Sequence, residues 1–163
     1  MSRIFILAFV LFATLFAVNA APLALEKRET QFQQCSDFPD VVVLDVNMTP
    51  DPPVSNTEET FVIKGTMKTN IIAGDWLAFI FYDLYEQRPI GDTHWFDICT
   101  RPGVTCPIKA GKAFSITQKC TTPELPLLYT IGILIGHHEL TKPYACSVAK
   151  IIGDSESSAV PDF

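Results

Sequence analysis

Thr60-Phe61-Val62-Ile63-Lys64-Gly65-Thr66-Met67-Lys68 alternates with a period of two. Phe61, Ile63, Gly65 and Met67 fall in one phase, and Lys64, Thr66 and Lys68 in the other. Successive side chains of a strand point to opposite faces, so this stretch reads as a strand with one buried and one wet face. Lys112 to Cys120 repeats the pattern through Phe114, Ile116 and Gln118. Outward from these two, β-branched and aromatic runs recur at Val41 to Met48, Asp75 to Glu86, Thr93 to Cys99, Leu127 to Ile135 and Tyr144 to Ile152. Turn signals bound them: Thr49-Pro50-Asp51-Pro52-Pro53 closes the first, and Arg88-Pro89-Ile90-Gly91 turns the chain after Glu86. With 12 prolines and 8 glycines in 163 residues, no long segment keeps a clean helical period. The expectation is an all-β protein, a two-sheet β-sandwich of about seven antiparallel strands. A closed antiparallel barrel is its structural competitor.

The central runs are apolar in both phases. Leu77, Phe79 and Phe81 interleave with Trp76, Ala78, Ile80 and Tyr82, and Tyr129 to Ile135 behaves alike. Such a strand is covered on both faces, makes an oligomer contact, or belongs to sheets that splay around an apolar guest. Hydrophobic residues make up 48% of the chain and charged residues 18%, which excludes a disordered polymer. A net charge of −6 and a pI near 4.9, without a cluster of basic residues, argue against nucleic acid as a partner.

Residues 1–20 read as a signal peptide. Arg3 supplies the positive start, Ile4 to Val18 is almost wholly apolar, and Val18-Asn19-Ala20 offers small residues for cleavage. The apolar run is shorter than the ~18–20 residues that a membrane-spanning helix needs. Leu25-Glu26-Lys27-Arg28 ends in a dibasic site, so residues 21–28 read as a propeptide and the mature chain is expected to begin at Glu29. Removing Arg3, Lys27, Arg28 and Glu26 leaves it more acidic than the precursor. Residues 29–153 form the domain, and 154–163 read as a solvated acidic tail. An exported chain with five cysteines calls for a disulfide framework.

Cys99 and Cys106 enclose Thr100-Arg101-Pro102-Gly103-Val104-Thr105, and Cys106 runs into Pro107-Ile108 and then Lys109-Ala110-Gly111-Lys112. Cys35 precedes the first strand and Cys146 lies in the last. This pattern, from about Cys35 to Ile152, resembles the ML lipid-recognition family, which includes the Niemann–Pick type C sterol carrier and small fungal phosphatidylglycerol/phosphatidylinositol transfer proteins. The resemblance implies an immunoglobulin-like sandwich with an internal apolar cavity. It also implies the disulfides Cys35–Cys146 and Cys99–Cys106, one choice among the several pairings that five cysteines allow. Cys120 is left over, and its ordinary reading is a small buried apolar residue.

The implied function is a secreted or lumenal carrier, expected to be monomeric. It would hold a phospholipid (phosphatidylglycerol or phosphatidylinositol) or a sterol as cargo and touch membranes transiently. The cavity wall is assigned to Phe61, Ile63, Met67, Ile80, Tyr82, Phe114, Ile116, Tyr129, Ile131, Ile133 and Ile135. Ile80 and Tyr82 are chosen because the other phase of their strand carries Asp83. No enzyme is expected. His137 and His138 are adjacent on a strand end and point apart, so they are poor joint ligands for one metal. Glu139 and the distant His94 do not complete a ligand set, and neither a nucleophile elbow nor a phosphate cradle occurs. No metal or cofactor other than the cargo is expected. Asn47-Met48-Thr49 is an N-glycosylation sequon, followed by the unfavourable Pro50. The competing reading is a recognition or adhesion module with a filled core and no cargo.

Overall fold

A computed structural model describes residues 29–137 and 142–153. The expected signal peptide, the dibasic segment, the tail, His138 and Glu139 lie outside the described residues. Among the described residues nine strands form, in chain order: β1 Gln33–Gln34, β2 Asp45–Thr49, β3 Glu58–Thr66, β4 Asp75–Asp83, β5 Arg88–Pro89, β6 His94–Asp97, β7 Ala113–Thr121, β8 Leu128–His137 and β9 Ala145–Ile152. The sole helical element among those residues is a 3₁₀ turn at Ile98–Thr100. The strands make two antiparallel sheets. The larger is ordered β1-β9-β8-β4-β5, with β6 also pairing β4, and the smaller is β2-β3-β7. The all-β sandwich is therefore the observed architecture.

β1 and β5 have two polar or proline-containing residues each, too short to leave a periodic signal. The chain turns earlier than expected after β4. Asp83 Oδ1 accepts the backbone N–H groups of Tyr85 at 2.7 Å and Glu86 at 2.9 Å, and Gln87 takes a left-handed φ of 54°. That turn sends Arg88–Pro89 back along Tyr82 and Asp83.

The run Val41 to Met48, expected as a single strand, serves both sheets. Val42 pairs with Ala145 at β9, its N–H donating to the Tyr144 carbonyl and its carbonyl accepting from Cys146 N–H. Three residues later the chain belongs to β2 and pairs with β3. Between them, Leu44 N–H donates to Ser147 Oγ at 2.7 Å, and the same hydroxyl donates to the Leu44 carbonyl at 2.9 Å. Ser147 is fully buried, so this pair of bonds satisfies polar groups that water cannot reach. Cys35–Cys146, with Cα atoms 5.8 Å apart, reinforces the same edge. One long edge of the sandwich is thus stitched by backbone and sulfur.

The opposite edge, where β6 faces β7, is closed by side chains. Cys99–Cys106, with Cα atoms 5.6 Å apart, ties the loop that spans it. Arg101 from this loop lies 5.6 Å over the Phe96 ring of β6 and donates to Gln118 Oε1 of β7 at 3.3 Å.

Candidate functional site: the space between the sheets

Each sheet turns one apolar face inward. The inward phase of β3 is Phe61 and Ile63, and in β7 it is Phe114, Ile116 and Gln118. Val46 and Met48 of β2 and Met67 after β3 complete the smaller wall. On the larger sheet, Tyr129, Ile131, Ile133 and Ile135 of β8 are buried, opposite Asp83, Phe81, Phe79 and Leu77 of β4. Nine of the eleven expected wall residues therefore face one another across the sandwich, although Phe114 is only half-buried.

Ile80 and Tyr82 do not. Their partners in β8 are Gly132 and Thr130, on the outer face, and both are half-buried. The inward residues of β4 are Leu77, Phe79 and Phe81 instead. The expectation fails because a charged residue does not mark the wet phase of this strand. Asp83 is inward and buried, and its carboxylate is used locally to cap the turn after β4. At the other end of the strand Asp75 is also inward and wholly buried. It accepts from Ile72 N–H at 2.8 Å and lies 2.6 Å from His137 Nδ1. The outer face is covered partly by its own aromatic pair: Trp76 lies over Gly136 and meets Trp95 edge-on at 4.8 Å.

The interior is filled by protein side chains. Phe61, Ile63, Phe79, Ile116, Ile131, Ile133 and Ile135 have 0% exposure, which leaves no water-sized space against any of them. Phe61 of the smaller sheet touches Phe79 of the larger, with ring centroids 4.8 Å apart. Two hollows lie elsewhere. One of about 220 Å³ runs between residues 29–32 and the free edge of β2. Another of about 530 Å³ lies over Gly65 on the smaller sheet, lined by Lys64, Thr66 and Phe114 among others.

At one end the inner faces carry polar groups that the sequence reading missed. Glu59 continues the Phe61–Ile63 phase by one step, has no exposed surface, and stands opposite Cys120 in the β3–β7 register. Neither of its carboxylate oxygens has a hydrogen-bond partner among the described residues. Burial, with the negative charge of Asp51 adding to it, raises its pKa from 4.5 to about 7. Tyr129 shares this end: burial and then the charges of Glu59 and Asp51 push its phenol up. Burial pushes the Cys120 thiol up to about 12. The signal was available, because a strand read from Glu59 rather than Thr60 puts a carboxylate in the apolar phase. Among the described residues, no three His, Cys, Asp or Glu side chains converge to hold a metal.

Family comparison places residues 29–150 in the ML domain, and the chain belongs to that family. The fold is similar to a Niemann-Pick type C2 protein from Japanese carpenter ant, at a TM-score of 0.58 and 16% identity, covering 75% of this chain and 98% of that one. It is also similar to chicken MD-1 solved in complex with lipid IVa, at a TM-score of 0.50 and 15% identity, covering 78% of this chain and 91% of that one. No curated protein matches the chain by sequence.

Proposed function

We propose that this ML-domain protein is a lipid carrier that encloses a phospholipid or sterol between its two sheets and moves it between membranes. The observation that carries this reading is the pair of inward faces built from large apolar side chains, one on each sheet. The family and the lipid-bound MD-1 fold support it. Because the interior is occupied by Phe61, Phe79 and their neighbours, cargo enters by the sheets parting at the β6–β7 edge, where Arg101 is released from Phe96 and Gln118. Each methylene transferred from water to this interior contributes ~0.8 kcal/mol. An acyl chain or sterol body therefore covers again the apolar surface that the parted sheets expose.

The protein is exported, monomeric and non-enzymatic in this reading, and Asn47, exposed on β2, is the point where a glycan attaches. The test is direct. Organic-solvent extracts of the purified protein should contain lipid by mass spectrometry, and the protein should accelerate lipid exchange between vesicles. A lipid-free extract with no exchange activity would leave the filled-core recognition module as the better reading, which the packed interior favours.

A further inference from the structure

We infer that Glu59 is the hydrogen-bond acceptor for a hydroxyl on a neutral lipid, so that the cargo's polar end lies against β3 and β7 at the Glu59–Cys120–Tyr129 end of the interior. This rests on the carrier reading and narrows it. Three observations converge. Glu59 points into the interior from the same phase as Phe61 and Ile63, and it is wholly buried. Both its oxygens lack partners among the described residues, and a buried acceptor left unpaired is costly unless something donates to it. The groups that face it from the surrounding elements are Cys120 of β7, Tyr129 of β8 and Asp51 of the β2–β3 loop, with Asp83 of β4 across from Tyr129.

None of these groups is a cation. A phosphate drawn to this end would meet Glu59 and Asp51 with no compensating positive charge. Asp51 already accepts two hydrogen bonds from Thr30, at 2.7 and 2.6 Å, and is held in place. A neutral hydroxyl adds a donor without adding charge. That chemistry is shared by the ring hydroxyl of a sterol and the free hydroxyl of a diacylglycerol.

Two matched probe pairs test the inference on the full mature chain: cholesterol against its 3-methyl ether, and dioleoylglycerol against its O-methyl ether. Each ether keeps the apolar body and removes the donor. Binding of the hydroxyl form should exceed that of the ether by about tenfold or more in at least one pair, and that pair identifies the source of the hydroxyl. The preference should rise as pH passes 7, because a charged acceptor binds a hydroxyl more strongly. Glu59→Gln, which still offers a carbonyl acceptor, should keep a preference that no longer depends on pH. Glu59→Leu should lower the hydroxyl form to the level of its ether, with circular dichroism confirming the fold. Wild-type uptake of lipid with no hydroxyl preference, or a preference that survives in Glu59→Leu, would overturn the assignment alone. Failure of the wild type to take up any of the four probes would overturn this inference, and the carrier reading falls with it only if solvent extracts hold no lipid and phospholipid exchange between vesicles is not accelerated.

Discussion

Glu59 costs the fold most where its charge is least welcome, and the direction of the effect follows from its two protonation states. Its folded pKa of about 7 lies above the ordinary 4.5, so between these values the folded chain retains a proton that the unfolded chain has released. Stability contributed by the protonated carboxyl is complete below about pH 4.5 and declines as pH rises toward and past 7, by up to about 3 kcal/mol. Glu59→Gln should match the wild type in urea denaturation at pH 4, exceed it at pH 8, and flatten the profile between. An unchanged profile would mean that the carboxylate is solvated in the folded protein. Cys120 offers a second check at this end. With its thiol pushed up to about 12 and only 3% exposed, it should resist iodoacetamide at pH 8 in the native protein and react fully once denatured.

The strands divide into those whose sequence reveals the inward phase and those whose sequence conceals it. In β3 and β7 one phase is charged or hydroxylic along most of its length, so alternation identifies the buried side. In β4 both phases are apolar, and the charges at its ends, Asp75 and Asp83, are buried by local hydrogen bonds. A charge therefore points to the wrong phase for Ile80 and Tyr82, and the pairing with β8 gives the right one. The disulfide pairing was legible through the family pattern, whereas the crossover at Leu44 was not, since one apolar run serves two sheets. Ile133 illustrates the consequence of tight packing. It is wholly buried between Phe79 and Ser147 in the register, so Ile133→Phe should overpack the interior and lower stability by about 1–3 kcal/mol in thermal denaturation. An unchanged melting temperature would show that spare volume is available there.

For the whole molecule the two long edges differ in kind. Backbone bonds at Val42, the Ser147 clasp and Cys35–Cys146 hold the β9 edge. At the β6 edge the loop tied by Cys99–Cys106 crosses between the sheets, and Arg101 adds one ring contact and one long hydrogen bond, both of which water can replace. Arg101→Ala should therefore accelerate lipid exchange between vesicles several-fold, while removing about 1 kcal/mol or less of stability. Ser147→Ala should do the reverse, destabilising the fold by about 1–3 kcal/mol because the buried Leu44 amide and carbonyl lose their partner, with little gain in exchange rate. Equal acceleration by both variants would refute an opening confined to one edge.

The bridge between Cys35 and Cys146 also sets a schedule for biosynthesis. Its cysteines are 111 residues apart, whereas Cys99 and Cys106 are separated by seven. Chains grow from the N-terminus at ~5–20 residues per second, so Cys35 is made early and waits with a free thiol while the 111 residues up to its partner are added. The small loop can oxidise on a nascent chain, but the large one cannot close until β9 has emerged. Pulse-labelled chains exposed only as far as residue 145 should carry the Cys99–Cys106 bond and a reactive Cys35, leaving that thiol open to mispairing with Cys120 until β9 follows.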